Sequence, residues 1–374
     1  MVIVEGVAVY HEGSGASQYH FNMLKQLRFD GHRHYYGADS FDQFINRPYP
    51  VKLAGFHVPF PAEQGWLDRV DQLYDHVDHF YIFCSELHVR IEQQLQTLDR
   101  EKVTIFVNGT LNDSFRHAKI LPWMDWFTQT LYFYKDLHPG FLDSHLYKDT
   151  KSMMFDALLG AQRQHRDFVF DWIQQHNLSN KIFATYYHNI RTRLDNNPNF
   201  AMETEGVEII ANQKFSHSID QVLYYGHRIG ISCVVPLTVY NQTNYSIVAE
   251  TNFDNHYNFY TEKIVKPIMC RRLFIAVSGQ HYLKNLRSFG FRTFDGIIDE
   301  SYDSEPDNHV RWTKAMEQVN WLSQQDPAVI FAQAAEIVEH NHCVMFERDW
   351  YAEFSASLDQ AIRPCFQGLD LREV

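Results

Sequence analysis

Residues 245–303, YSIVAETNFDNHYNFYTEKIVKPIMCRRLFIAVSGQHYLKNLRSFGFRTFDGIIDESYD, decide the fold class of this chain. The apolar run 245–249 ends at Glu250-Thr251 and gives way to a polar, aromatic loop, the pattern of a buried strand leaving a sheet. Thr261 then stands before Ile264, Val265, Ile268 and Met269, which are apolar at helical spacing, and it suits the N-cap of that helix. A second apolar run, 273–277, stops at Ser278-Gly279 and reads as a strand, and 282–288 reads as a basic helix. The Gly290-Phe291 turn leads into a third expected strand at 292–294. This alternation is the pattern of a parallel sheet with crossover helices, whose ligands sit beyond the carboxyl ends of the strands. Lys263, in a first helical turn beside unbonded N–H groups, is well placed for a diphosphate.

The rest of the chain repeats the alternation. A strand is expected at 2–10, a Gly-containing loop, HEGSGAS, at 11–17, and a helix at 18–27. Further strands are expected at 51–57, 79–84 and 103–107, and an aromatic helix at 123–134. His138-Pro139-Gly140 breaks this order, and a strand at 153–159, a helix reaching about residue 175 and a strand at 181–186 restart it. Segments 306–325, 328–339 and 350–362 read as helices. A chain of 374 residues exceeds what one core usually supports. The expected division is therefore a first domain at 1–145, a second at 146–340, and a terminal segment, 341–374, that crosses back onto the first. The alternation supports an α/β fold class with two domains.

Composition narrows the function classes. A hydrophobic content of 45% supplies core for both domains, and a formal charge of −13 argues against nonspecific coating of nucleic acid, though not against a local basic groove. Basic clusters at Arg163, His165 and Arg166, at Arg191 and Arg193, at Arg271 and Arg272, and at Lys284, Arg287 and Arg292 are either solvated faces or phosphate contacts. The opening MVIVEGVAVY reads as a strand and not as a signal peptide, and no apolar run reaches membrane-spanning length. Five scattered cysteines without a CxxC pair suit a reducing cytoplasm. No GxGxxG follows the first strand and no GxxxxGK[ST] occurs, which ranks a Rossmann epimerase or a P-loop kinase low.

Glu250, Tyr260-Thr261-Glu262-Lys263 and the run 273–279 resemble the α1,3-fucosyltransferases, which carry an acidic residue at a strand end, a Tyr-x-Thr-Glu-Lys-like helix start and an apolar strand ending near Gly. This chain departs from them with Arg271-Arg272 where a small Ala-Gly element is usual. Val239-Tyr240-Asn241, Glu250-Thr251, Thr261 to Lys263 with Lys266-Pro267, residues 290–294 and residues 299–303 resemble glycosyltransferases encoded by large tailed phages, as does the upstream block 155–160 with Arg163, His165 and Arg166. The resemblance covers about the C-terminal half. It implies the GT-B architecture, in which two Rossmann-like domains face a cleft, with a nucleotide-sugar donor (UDP- or GDP-sugar) on the C-terminal domain, no further cofactor and no essential metal. It implies transfer of a hexose or pentose to an acceptor hydroxyl. The first choice of acceptor is 5-hydroxymethylcytosine in double-stranded phage DNA, in the cytoplasm of an infected host. A polysaccharide or protein acceptor is the alternative, and a non-catalytic nucleotide-sugar-binding protein is the reading from another class.

The donor-side candidates are Arg163, Glu250, Tyr260, Thr261, Glu262 and Lys263. Lys263 and Arg163 would meet the leaving diphosphate, and Glu262 would accept from the ribose hydroxyls. Each has a structural alternative. Glu262 suits any helix N-terminus, Glu250 could pair with Lys263 or Arg292, and Arg163 could pair with Asp167. Residues 299–303 read more naturally as a loop capping the helix after Pro306 than as a ligand contact. The catalytic base is open between the loop after the first strand, with His11 and Glu12, and Glu86 beyond the strand at 79–84; each is equally compatible with a plain surface carboxylate. Close histidine pairs (His76 and His79, His32 and His34, His340 and His342 beside Cys343) lack the frame of a zinc site, and no metal is expected.

Overall fold

The computed structural model describes residues 7–12, 36–37, 45–46, 51–58, 66–84, 97–187, 205–209, 221–362 and 364. The expected helix at 18–27, the pair His32 and His34, the cluster Arg191 and Arg193, and Glu86 lie outside them. The fold is mixed α/β and forms two compact units, Met1–Asp125 with Asp349–Val374, and Trp126–Arg348. The division falls at 125/126 and 348/349, so segment 126–145 goes with the second unit. There the Tyr134 hydroxyl accepts the Val235 N–H at 2.6 Å and Asp143 pairs with Arg271 at 2.9 Å.

The first unit is built on a six-stranded, wholly parallel sheet with the order β2-β1-β3-β4-β5-β7. Its strands are β1 (Val7–Glu12), β2 (Tyr36–Gly37), β3 (Val51–Val58), β4 (His79–Cys84), β5 (Val103–Val107) and β7 (Lys119–Pro122), with the short β6 (Gly109–Leu111) between the last two. Phe80 to Cys84 of β4 have no exposed surface, and β5 is buried at every position, as a parallel sheet covered on both faces requires. Helix α1 (Trp66–Leu73) precedes β4. His11 and Glu12 are not in the loop expected at 11–17. They are the last residues of β1, held in register with Gly55 and Phe56 of β3.

In the second unit, strands β8 (Met153–Ala161), β9 (Ile182–Tyr187), β13 (Thr243–Ala249) and β15 (Phe274–Val277) form a parallel sheet with the order β15-β13-β8-β9. An antiparallel sheet of β10 (Val207–Ile209), β11 (Gln221–Tyr224) and β12 (His227–Gly230) belongs to the same unit, as does the short β14 (Tyr257–Phe259). Its helices are α2 (Asp125–Leu131), α3 (Phe141–His145), α4 (Gln164–Gln175), α5 (Leu237–Tyr240), α6 (Glu262–Met269), α7 (Tyr282–Ser288), α8 (Asn308–Leu322) and α9 (Pro327–Glu347). The aromatic helix expected at 123–134 is shorter than that as α-helix, because from Tyr132 to Leu137 it widens into a π-helical turn closed by the His138 N–H on the Phe133 carbonyl. A last helix, α10 (Trp350–Ile362), returns to the first unit, where Phe354 meets Phe106 at 5.3 Å and Trp123 at 5.6 Å between ring centres. Among the described residues no helix is long and apolar enough to cross a membrane.

Two features of the second unit hold its sheet in place. Arg272 is 6% exposed and lies beneath the amino end of β13. It pairs with Asp156 of β8 at 2.6 Å, donates to Ser246 Oγ, Thr243 Oγ1 and the carbonyls of Tyr240, Thr243 and Tyr245, and stacks 4.2 Å from the Tyr240 ring centre. Its neighbour Arg271 bridges Asp143 and Glu339 at the surface, so both members of this basic pair are taken up by ion pairs, one buried and one exposed.

The second feature concerns 292–294, where no strand forms. Asn341 of α9 accepts the Arg292 N–H at 2.7 Å and donates to its carbonyl at 2.8 Å, and Glu300 accepts the Phe294 N–H at 2.7 Å. Side chains therefore satisfy the backbone groups that a neighbouring strand would have taken. Residues 299–303 do not cap the helix after Pro306, whose cap is Asp307 on the Val310 N–H. Asp303 instead caps α7 through the Leu283 and Lys284 N–H groups, and Glu300 binds Thr293 and Arg287.

Candidate active site

The order of the second sheet locates a crevice that its residue patterns alone do not. From β8 the chain runs through α4 to β9 on one side, and from β13 through α6 to β15 on the other. The direction of winding thus reverses between β8 and β13, and in open parallel sheets ligands bind outside the carboxyl ends of the strands at such a point. Two helices, α4 and α6, begin there, each presenting the N–H groups of a first turn and the positive end of its dipole.

Strand β8 reaches this point through an irregularity, with its pairing to β9 shifting register between Leu158 and Ala161. A Cβ on Gly160 would lie 3.4 Å from Arg166 Nη1, so the glycine leaves room for the guanidinium. Arg163 is the N-cap of α4 in extended conformation, and its carbonyl accepts the N–H groups of Arg166 and Asp167, both at 2.9 Å. The next turn ties the two strand ends together. His165 Nε2 donates to the Glu250 carbonyl at 2.6 Å, Arg166 donates to the same carbonyl at 2.9 Å, and Arg166 Nη1 donates to the Ala161 carbonyl at 2.8 Å. Since a carbonyl can only accept, the His165 proton sits on Nε2. Burial and the neighbouring Arg166 charge hold this imidazole neutral, well below its ordinary pKa. Asp167 takes its hydrogen bonds from Gln162 and the Tyr186 hydroxyl.

Across the crevice, β13 ends at Glu250, which has no exposed surface. Its Oε1 accepts the Thr261 N–H at 3.0 Å and the Tyr282 hydroxyl at 3.1 Å; its Oε2 accepts the Thr251 N–H at 2.9 Å and the Thr261 hydroxyl at 2.8 Å. Burial raises its pKa, against the opposing pull of Lys263 and these N–H groups. Glu250 is within ion-pair distance of neither Lys263 nor Arg292; it is the anchor between strand end and helix start. Tyr260 is likewise turned inward, wholly buried, with its hydroxyl donating to the Tyr282 carbonyl at 2.9 Å.

Thr261 caps α6 as its sequence suggests, accepting the Lys263 N–H at 3.3 Å. Lys263 Nζ then gathers three oxygens, Thr251 Oγ1 at 3.1 Å, Thr261 Oγ1 at 3.3 Å and Glu262 Oε1 at 2.8 Å. The Lys263 side chain is 21% exposed and that of Glu262 is 10% exposed, so the lysine is partly open to solvent and the carboxylate is nearly buried beside it. Burial acts against the Glu262 charge, but Lys263 beside it and Lys266 one turn on prevail, holding its carboxyl below the ordinary value. A carboxylate that stays ionised and a lysine at a helix start can together accept from hydroxyls and meet an anion.

Of the sequence candidates, Glu250, Thr261, Glu262 and Lys263 are joined by these contacts, and the first turn of α4, which Arg163 caps, is tied to the same Glu250. His11 and Glu12 belong to the other unit, where β1 ends. The first sheet also reverses its winding there, because β1 lies between β2 and β3. In the sequence His165 and Arg166 stand out as part of a basic cluster and of the upstream tailed-phage block, and Lys266 as part of another such block, but none of them as a site residue, and nothing marks Tyr282. Their signal is spatial, since Tyr282 meets Glu250 from 32 positions away.

The histidine pairs go elsewhere. His79 bonds Thr104 Oγ1 at 2.9 Å, His340 the Gly290 carbonyl at 2.8 Å and His342 the Met269 carbonyl at 2.8 Å. Among the described residues no three His, Cys, Asp or Glu side chains gather as a metal site would require. Cys84, Cys233, Cys270 and Cys343 are free thiols.

No family model and no curated relative matches the chain. Among solved structures it is similar to an α1,3-fucosyltransferase, at 7% identity over 99% of this chain and 90% of that one, with a TM-score of 0.34. It is also similar to the catalytic domain of starch synthase IV from Arabidopsis thaliana bound to ADP and acarbose, at 8% identity over 84% of this chain and 72% of that one, with a TM-score of 0.32.

Proposed function

We propose that the chain is a glycosyltransferase of GT-B type that takes its sugar from a UDP- or GDP-sugar bound at the β8/β13 reversal point. The observation that carries the reading is Lys263. It is an incompletely buried ammonium in the first turn of α6, at the carboxyl end of a parallel sheet, directly after a Glu250-anchored helix start. Support also comes from the motif resemblance that Glu250, Thr261, Glu262 and Lys263 carry.

As the bond between sugar and diphosphate breaks, negative charge grows on the leaving oxygens. Lys263, Arg163 and the first N–H groups of α4 and α6 stabilise it, most strongly because they are fixed before the reaction begins. Glu262 stays charged and accepts from the donor ribose. Glu250, Thr261 and Tyr260 act behind them by fixing the turn of α6. The acceptor hydroxyl needs a base, and we assign it to Glu12 with His11, at the winding reversal of the first sheet. Glu86 follows β4, which lies between β3 and β5 where no reversal occurs.

The acceptor placed first is 5-hydroxymethylcytosine in phage DNA, on the strength of the tailed-phage blocks; a polysaccharide or protein hydroxyl is the other reading. Part of one block, Asp299 to Asp303, caps and braces the fold, so it bears on the scaffold more than on the acceptor.

Two measurements test the function. In a thermal-shift panel of UDP, GDP, ADP and their sugars, a donor bound to the native state should raise the melting temperature. The protein is then incubated with that donor and with hydroxymethylcytosine DNA, unmodified DNA or glycans, and the digests are read by mass spectrometry. A sugar on hydroxymethylcytosine alone supports the first acceptor, and a sugar on glycan supports the second. A nucleotide sugar that binds and is never transferred or hydrolysed points to a binding protein, and no nucleotide binding at all overturns the reading.

A further inference from the structure

One residue stands between the two helix starts at the crevice. The Glu250 carbonyl accepts from His165 Nε2 at 2.6 Å and from Arg166 Nη2 at 2.9 Å, both in the first turn of α4. The Glu250 carboxylate holds Thr261, the cap of α6, by its N–H and its hydroxyl. The first turn of α4 and the cap of α6 are therefore fixed to the backbone and the side chain of one buried residue. Each helix start presents N–H groups and a positive dipole end, and their mutual placement decides whether one ligand can meet both.

Arg166 is buried, and its guanidinium also donates to the Ala161 carbonyl at the end of β8 at 2.8 Å and to the Ala249 carbonyl at the end of β13 at 3.4 Å. It therefore joins the two strand ends whether or not His165 is beside it. His165 has no exposed surface, and its ring lies 4.9 Å from that of Phe253 and 6.1 Å from that of Trp312. Because Nε2 carries the proton, Nδ1 is an acceptor, and among the described residues it has no hydrogen-bond partner. A buried acceptor left unmatched costs stability. A phenylalanine of similar shape would keep the ring contacts without that cost, and the Glu250 carbonyl would still accept from Arg166. Stability alone thus gives no reason for an imidazole here. What it adds is a second anchor of the α4 turn on Glu250.

We propose that His165 is a positioning residue for the donor diphosphate, which by its bond to the Glu250 carbonyl holds the first turn of α4 where that turn and the first turn of α6 meet the same ligand. The inference rests on the donor site proposed above. A single phosphate needs one helix start, whereas a diphosphate that spans the crevice needs both in register. His165 thus acts through the preference for a diphosphate and not through general affinity for nucleotides. A purely structural bond, tying β8 to β13, would change stability and leave that preference where it was.

The test compares UDP with UMP, GDP with GMP and ADP with AMP by calorimetry at neutral pH, alongside denaturant unfolding. In the pair that the unsubstituted protein binds best, the diphosphate should be held more tightly than the monophosphate. His165→Phe should keep the fold and the monophosphate affinity, and should lower the diphosphate preference about tenfold, the scale of one helix start lost to an anion. His165→Gln, whose amide can place an N–H where Nε2 stood, should restore the preference. A preference unchanged in His165→Phe, or equal losses for monophosphate and diphosphate, overturns the proposal. Loss of the fold in His165→Phe also overturns it, because the ring then belongs to the scaffold, and so does a His165→Gln variant that behaves as His165→Phe does. If the unsubstituted protein binds none of these nucleotides, the donor-site reading falls and this inference with it; if it binds them and only the His165 outcomes fail, the inference alone falls.

Discussion

Thr261 holds Glu250 by both oxygens, its backbone N–H on Oε1 at 3.0 Å and its hydroxyl on Oε2 at 2.8 Å. The same hydroxyl accepts from Lys263 Nζ at 3.3 Å, so the buried acid, the helix cap and the partly buried cation form one line of hydrogen bonds. Glu250→Ala would strip the Thr251, Thr261 and Tyr282 donors of their shared acceptor. Each buried donor left unmatched costs about 1 to 3 kcal/mol, and the expected total is about 3 kcal/mol or more in denaturant unfolding. Glu250→Gln keeps one acceptor oxygen and should cost less. An alanine variant as stable as its parent would show that these contacts do not anchor the helix start.

Lys263→Ala should leave the fold intact and lower sugar transfer by roughly two to three orders of magnitude, the scale of one lost transition-state charge contact. Glu262→Gln should chiefly weaken donor binding, because a ribose contact is made in the ground state and the transition state alike. Steady-state kinetics with saturating donor separate the two. Unchanged turnover in Lys263→Ala removes it from the diphosphate, and a fall in turnover at constant KM in Glu262→Gln assigns it a chemical role.

Glu12→Gln is expected to abolish most transfer while leaving nucleotide binding as it was, and Glu86→Gln to leave both near the parent. Donor binding by calorimetry and transfer by mass spectrometry report the two properties independently. The reverse pattern would move the base to the end of β4.

Arg272 and Asp156 offer a test of the scaffold with no bearing on ligand. Arg272→Met leaves a carboxylate, 2% exposed, without its cation, and removal of one partner of a buried pair costs about 3 to 5 kcal/mol. Denaturant unfolding should show that loss. A variant within about 1 kcal/mol of the parent would mean that the cost of burying the pair cancels its attraction.

His79 gives the first unit a pH dependence. Burial, with the Lys119 charge second, pushes its pKa from 6.5 to about 4. The native state therefore keeps the ring neutral where the unfolded chain takes up a proton. The stability this contributes is whole above about pH 6.5 and is lost as pH falls toward about 4, by up to about 3 kcal/mol. His79→Gln, which can still bond Thr104, should flatten that part of the profile in unfolding curves taken across the range. An unchanged slope assigns the acid sensitivity to other groups.

The sequence is most legible where one residue's neighbours along the chain decide its state. The N-cap at Thr261 and the buried strands at residues 79–84 and 103–107 need only local pattern, and they form as read. Residues 292–294, Arg-Thr-Phe after a Gly-Phe turn, are read as a strand but form none, because Asn341, 49 positions on from Arg292, and Glu300 supply backbone partners. The apolar pattern at 2–10 ends the first strand too early, since His11 and Glu12 extend it where β3 pairs with them. The winding reversals have no local signature at all. Strand order is a property of which strands meet across the sheet, and no single apolar run records its neighbour.

The bond from His165 to the Glu250 carbonyl joins residues 85 positions apart, and the bond from Arg166 spans 84. Neither can form until β8, α4 and β13 have all been made and docked, so the chain loses the entropy of closing that loop before these contacts reward it. On the donor-site reading proposed above, ligand competence is thus a late event in folding. In refolding from denaturant, secondary structure should return before nucleotide binding does, and on the ribosome the crevice would stay unfinished until well after Glu250 has emerged.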